Sequence, residues 1–417
     1  MDSFVARQPI FDQDQNVYAY ELLFRTGLEN KFPDFDPDSA SCNVMMDAFI
    51  MHSVKGVTEG KRAFINFSET LLLHDFAFYL PADQVVVEVL ETIPPTPEAL
   101  AACQRLRERG YVVALDDFVL DEQNAAFLDC CDIIKVDYRL SDAAQRQEII
   151  RRTAGKNIKL LAEKVETLEE FHLAQQEGFV YFQGYFFCKP EIIQGRRMPE
   201  SRLSKMQLIK AINAPEPDFN AVTEAIRHDM SLTYKLLRYI NSAAFGLSKE
   251  VESIHQAVVF LGVKALRKWV TFLTMAELGE EKTSEILYNA LLRARFCELL
   301  ADKMGMPRSA EDLFLVGLFS RVDAIMDMPI DAILKEIPLS QDIKTTLSGQ
   351  EHQYGYVYEF VQAYEKADWP VIEEICAELS LDPDQIPDLY FEALDWTHQA
   401  LVLAGLATDK TPAPTKP

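Results

Sequence analysis

Seven polar residues, Glu21, Asn66, Glu88, Asp116, Lys135, Glu163 and Gln183, each stand at or just past the end of a short apolar run in the first half of the 417-residue chain. Brought together, their four carboxylates, two amides and one amine would suit a hard divalent cation and an anionic substrate. Successive separations are 45, 22, 28, 19, 28 and 20 residues. All but the first fit one strand, one helix and their loops, the repeat of a parallel βα barrel whose catalytic face is its C-terminal rim. Singly these residues say little, because a glutamate at a strand end is ordinarily a solvated charge and a lone lysine a surface one. The set gains force only from its shared strand-end context.

The elements that must position them are legible as β-branched or aromatic runs. Strands are predicted at Val17 to Leu23, Ala63 to Phe67, Val85 to Val89, Val112 to Leu115, Ile133 to Val136, Ile158 to Ala162 and Phe179 to Phe182. Helical stretches lie between them, such as Pro97 to Arg109 and Thr167 to Glu177, followed by Gly110 and Gly178 as expected just past a helix end. Strand and helix alternate until about Pro190. The polar segment KPEIIQGRRMPESRLS then gives way to helical periodicity alone, which sets a boundary near residue 197. Two domains are expected, 1–197 and 198–407, with a disordered polar tail at 408–417.

A formal charge of −24, from 41 basic and 65 acidic residues, argues against nonspecific coating of nucleic acid or an anionic membrane, since both need a positive field. A phosphorylated ligand fits if metal ions bring the positive charge. Seven cysteines without a CxxC pair read as reduced thiols, and no uncharged apolar run reaches membrane-spanning length. With no signal-peptide pattern in MDSFVARQPI, the expectation is a soluble cytoplasmic protein with no membrane segment.

The ordered segments VYAYELLFR, FINFSE, VVVEVLE, ALDDF, IIKVD, LLAEKVE and YFQGYFFCKP resemble the EAL domain, the bacterial phosphodiesterase of cyclic di-GMP. The opening ARQPIFDQDQNVYAYELLFR is similar to the subgroup in which an EAL domain precedes an HDOD domain, the YuxH-like architecture. That resemblance implies a TIM-like α/β barrel followed by an all-helical bundle. It further implies two Mg2+ or Mn2+ ions per barrel, the first held by Glu21, Asn66, Glu88 and Asp116, the second by Asp116 and Asp117. Glu163 would activate or position water, Lys135 would contact that water or the scissile phosphate, and Gln183 would floor the site. Glu91 would brace the loop after its strand, and a structural brace serves Asp137 equally well; Arg25 fits either a ligand phosphate or a neighbouring carboxylate. Two departures stand out. The chain reads VLDEQNAAF after Phe118, where the family has a glycine-rich turn, and Lys164 replaces the glycine of the family's AEGVE segment.

From about residue 200 to 400 the chain resembles the HDOD domain, above all in NSAAFG at Asn241 to Gly246, SIHQAV at Ser253 to Val258, and Leu261-Gly262. Related helical phosphohydrolases bind metal through a His-Asp doublet and further histidines. Here His228-Asp229 has only His255, His352 and His398 as company in this half, so His228 reads as a helix-surface or capping residue. The stripe Leu232, Leu236, Leu237 and Ile240 reads as core, and Trp269 and Phe260 as packing residues. Two functions follow. One is a phosphodiesterase opening cyclic di-GMP to pGpG, with the HDOD half engaging an unidentified protein partner and the chain pairing as a homodimer. The other is a cyclic di-GMP receptor or scaffold without turnover.

Overall fold

A computed structural model gives the fold and describes residues 4–25, 57–189, 200–242, 250–251, 253–279, 282–379 and 381–407. The chain forms two compact units that part after Phe187. The boundary expected near residue 197 and the tail at 408–417 lie outside the described residues.

In the first unit eight strands close a barrel in sequence order. They are β1 (Phe4–Phe11), β2 (Val17–Arg25), β3 (Arg62–Phe67), β4 (Val85–Val89), β5 (Val112–Leu115), β6 (Ile133–Asp137), β7 (Lys159–Glu163) and β8 (Tyr181–Gln183). From β2 to β8 all neighbours are parallel, but β1 runs antiparallel to both β2 and β8. The all-parallel repeat is corrected on that point. β1 carries Arg7, Gln8 and Pro9 in mid-run, which hides it from an apolar-run reading. It joins β2 through a tight turn in which Asp12 Oδ1 accepts hydrogen bonds from the Asp14 and Asn16 amides, both at 2.9 Å.

Helices α1 (Glu69–Leu73), α2 (Pro97–Glu108), α3 (Ala143–Thr153) and α4 (Leu168–Glu177) connect the parallel strands. Their starts are local chemistry: Thr96 caps α2 ahead of Pro97, and Asp142 with Gln145 and Thr167 with Glu170 form reciprocal capping boxes on α3 and α4. Between β5 and β6 the expected helix is replaced by a short 3-10 turn, Asn124–Asp129. That 19-residue interval is the tightest of the series.

Strand alternation explains the barrel interior. Ile10, Ala19, Phe64, Val86, Ala114, Ile133, Leu161 and Tyr181 form one buried apolar cluster with a member from every strand. Successive side chains on a strand point to opposite faces, so residues two apart share a face. Two positions onward from the cluster, the parallel strands present Glu21, Asn66, Glu88, Asp116, Lys135, Glu163 and Gln183. On antiparallel β1 the equivalent step runs backwards and gives Gln8. The polar residues are therefore the next layer of the same packed core, which is why Glu88 is fully buried inside VVVEV.

The second unit is helical throughout its described residues: α5 (Glu200–Ile212), α6 (Phe219–His228), α7 (Met230–Ile240), α8 (Ile254–Leu278), α9 (Ser284–Lys303), α10 (Ala310–Phe319), α11 (Val322–Met326), α12 (Ile330–Glu336), α13 (Gln341–Leu347), α14 (Gln353–Glu365), α15 (Trp369–Leu379) and α16 (Ile386–Leu403). Leu232, Leu236 and Ile240 are buried as expected, with Leu237 half-buried. Trp269 is buried, whereas Phe260 is 51% exposed, against its expected packing role. In the NSAAFG segment, Asn241 exchanges two hydrogen bonds with the Val251 backbone, and residues 243–249 lie outside the described residues. Ser253 caps α8 at the Gln256 amide, and Gly262 breaks that helix with φ 71° and ψ 171°, a conformation that favours glycine. No helix among the described residues is long and apolar enough to cross a membrane.

Candidate functional site

The polar layer closes around one ammonium group. Lys135 Nζ lies 2.5 Å from Glu88 Oε1, 2.7 Å from Asp116 Oδ1, 2.9 Å from Glu163 Oε1 and 3.6 Å from Glu21 Oε2. Gln183 Nε2 donates to Glu21 Oε2 at 2.6 Å and to Gln8 Oε1 at 3.1 Å, while Asn66 Nδ2 donates to the other Glu21 oxygen at 3.4 Å. Strand register sets these meetings, since Asn66 pairs with Glu88 and Gln8 with Glu21. All seven residues read from the sequence converge. Gln8 is the eighth member of the ring, and its only signal was the step of two back from Ile10 on an antiparallel strand.

Four carboxylates around one lysine leave an excess of negative charge in a place that water barely reaches. Burial pushes the Glu88 carboxyl well above its usual range, and Glu21 and Asp116 push the same way against the pull of Lys135. Glu163 is pushed up to about 8, again by burial first, with Asp116, Glu21 and Asp117 pushing the same way against the pull of Lys135. Burial works against the Lys135 charge too, yet its carboxylate neighbours hold its pKa well above the ordinary value.

Several oxygens of the ring have no hydrogen-bond donor: Asn66 Oδ1, both Glu88 carboxylate oxygens, Glu163 Oε2 and Gln183 Oε1, with Asp117 Oδ1 nearby. Of these, Glu88 Oε1 is paired with the Lys135 ammonium at 2.5 Å. Buried orphan acceptors are costly unless something binds them. Their hard-oxygen character fits a divalent cation. Lys135 holds the middle of the ring, and among the described residues no three acidic, histidine or cysteine side chains form a ready-made metal cluster.

Asp117 and Lys164 flank the ring with positive φ of 39° and 57°. A left-handed backbone at Lys164 explains why glycine suits the equivalent place in AEGVE. Its ammonium reaches Asp137 Oδ2 at 2.6 Å and Asp117 Oδ1 at 3.6 Å. Asp137 also accepts from the Arg139 and Leu140 amides, both at 2.9 Å. Burial alone would raise the Asp137 carboxyl; the Lys164 hydrogen bond and the two amides overcome that and lower it. A carboxyl lowered on folding stabilises above its unfolded value of about 3.9, and that stability is lost as pH falls through the folded value. Asp137→Asn should therefore cost about 1 kcal/mol at pH 7, after discounting for the half-exposed lysine, and progressively less as the pH falls below about 3.9, measured by urea unfolding.

Gly184 closes the rim after β8. With φ of 144°, it sits so that an added Cβ would lie 2.1 Å from the Val165 carbonyl oxygen. The Val165 amide donates to Gln183 O at 2.9 Å, so the clash falls on the segment following Glu163. Gly184→Ala is expected to lower the unfolding midpoint in denaturant, by about 2–3 kcal/mol or more.

Glu91 is exposed just past β4. Arg25 ends β2, but its side chain lies outside the described residues. In the altered loop, Val119 is 64% exposed while Phe118 is buried and donates its amide to Lys135 O at 3.0 Å. Asp121 Oδ1 then accepts from the Gln123 and Asn124 amides, doing with a side chain what glycines do by conformational freedom. In the helical unit the His228-Asp229 doublet separates: His228 is exposed at the end of α6, and Asp229 caps α7 at the Leu232 amide.

The EAL domain family matches residues 3–190, and the HDOD domain family matches residues 198–328. The chain is 36% identical over 411 residues to the uncharacterized protein YuxH of Bacillus subtilis, covering 96% of this chain and 99% of that one. It is 37% identical over 398 residues to the cyclic di-GMP phosphodiesterase CdgJ of Vibrio cholerae, covering 95% and 92%. A structure of Klebsiella pneumoniae BlrP1 with manganese and cyclic di-GMP is 24% identical over 45% of this chain and 55% of that one, with a TM-score of 0.34. Matched in both halves and nearly end to end, this chain belongs to the family of two-domain proteins that join an EAL barrel to an HDOD helical unit.

Proposed function

We propose that the barrel hydrolyses cyclic di-GMP to pGpG and that the HDOD unit serves as its regulatory or interaction module. The observation that carries this reading is the buried ring of orphaned oxygens around Lys135, supported by the near full-length relation to a cyclic di-GMP phosphodiesterase. Glu21, Asn66, Glu88 and Asp116 would hold one divalent cation, Mg2+ or Mn2+, and Asp116 with Asp117 a second. Such cations supply charge for the phosphoryl oxygens and acidify a bound water.

The protein's own groups do the rest. Glu163, with a carboxyl that holds a proton up to about pH 8 before any cation arrives, is placed to take the proton of the attacking water once positive charge lowers its affinity. Lys135 Nζ, within 2.9 Å of Glu163 and 2.7 Å of Asp116, orients both carboxylates and keeps a positive charge beside the reacting phosphate. Gln183 fixes Glu21 from the floor.

Incubating the purified chain with cyclic di-GMP and either cation should yield pGpG, resolved by chromatography. No product under any cation concentration would reject the enzyme. A receptor without turnover is favoured by one feature, the engagement of Asp117 by Lys164, which competes with a second cation. Calorimetric binding of cyclic di-GMP without product would establish that reading instead. The cytoplasmic location, the homodimer and a protein partner for the HDOD unit remain part of the same proposal.

A further inference from the structure

Two of the chain's three tryptophans, Trp269 on α8 and Trp396 on α16, line a cavity of about 280 Å3 within the helical unit. Phe314 of α10 and Tyr239 of α7 extend its aromatic wall. Basic side chains stand among these rings. Lys268 Nζ lies 4.9 Å from the Phe314 centroid, and the Arg295 guanidinium carbon lies 5.6 Å from the Trp396 ring centroid. Lys264, which also lines the cavity, is 80% exposed.

Counterions do not cancel this charge. Glu298 serves both Lys268 and Arg295, Glu392 takes a second arm of Arg295, and Glu311 serves both Lys264 and Arg267. On the cavity lining itself three cations, Lys264, Lys268 and Arg295, stand with one carboxylate, Glu298, on a chain of net charge −24. Arg295 Nε is a buried donor with no hydrogen-bond partner. A cavity kept only for packing would be filled by its own apolar side chains, and one lined by aromatic faces and cations offers stacking together with anion binding.

We propose that this cavity binds a planar aromatic anion of mononucleotide size, its ring against the tryptophans and its anionic group toward Lys264, Lys268 and Arg295. Ligand cavities run from roughly 300 Å3 upward, so this one lies at the small end and admits a single base with its phosphate rather than a cyclic dinucleotide. Base stacking on aromatic side chains and phosphate contacts from lysine and arginine are the two terms such a ligand uses. The site is independent of the barrel chemistry.

Tryptophan fluorescence reads the site directly, since only Trp369 lies outside it. The full chain, kept in EDTA so that no divalent cation bridges a phosphate to the barrel carboxylates, is titrated with GMP and AMP, with guanosine and inorganic phosphate as controls. Saturable quenching by a monophosphate below about 1 mM is expected, with guanosine or phosphate alone weaker by about fivefold or more. Lys264→Ala, at an exposed position that leaves the fold intact, and Lys268→Gln should each weaken binding by about fivefold. Absence of saturation by either nucleotide overturns the proposal. So does equal binding by guanosine, or quenching that neither lysine substitution alters.

Discussion

Glu163→Gln should lower cyclic di-GMP turnover by about 10^2- to 10^4-fold, the usual worth of a positioned general base, while making the metal-free fold more stable at alkaline pH. The two effects have one cause. Glu163 is buried among carboxylates, and its pKa is pushed up to about 8. A carboxyl whose folded pKa lies above its unfolded value binds its proton more tightly when folded. Stability therefore falls as pH rises from about 4.3, the unfolded value, through about 8. Glutamine keeps the shape and removes that titration, so the wild-type and variant unfolding midpoints in EDTA should diverge in favour of the variant from about pH 4.3 upward, with the full difference reached near pH 8. Loss of turnover with unchanged alkaline stability would mean that Glu163 is not the strained group of the ring. Unchanged turnover would remove it from the proton-transfer role.

Lys135→Met carries the largest expected cost in stability. It removes the one cation that, among the described residues, touches Glu21, Glu88, Asp116 and Glu163, and leaves its partners buried. Breaking a buried ion pair in this one-sided way costs about 3–5 kcal/mol. Because Lys135 is held charged well above the ordinary lysine range, the loss should be present throughout the neutral region. Mg2+ or Mn2+ should restore part of the stability by binding only the folded ring, in proportion to the logarithm of its concentration, and EDTA should abolish that gain. Thermal unfolding of wild type and variant with and without cation checks this. A variant indifferent to both cations would argue that the oxygens do not hold metal.

The ring was legible in the sequence because a strand has a period of two. Glu21, Asn66, Glu88, Asp116, Lys135, Glu163 and Gln183 each stand two positions beyond an apolar core residue of their own strand. Gln8 escaped because β1 is broken by Arg7 and Pro9 and runs the other way, so its layer position lies before the apolar residue. Lys164 was visible as a departure, but its effect was not. Whether its amine met Glu163 or Asp137 depended on a left-handed backbone that turns the side chain across the rim.

By itself the sequence determined the strand-end chemistry, the seven parallel strands in their order and the change to helices, because these follow from local periodicity and from residue types. Tertiary structure alone decided that Lys135 sits inside the carboxylates, that burial raises the proton affinity of Glu88 and Glu163 despite its presence, and that Trp269, Arg295, Phe314 and Trp396 share one cavity. The physical reason is that proton affinity and cavity shape depend on distance and dielectric between groups remote in the chain, and no local pattern of residues encodes those.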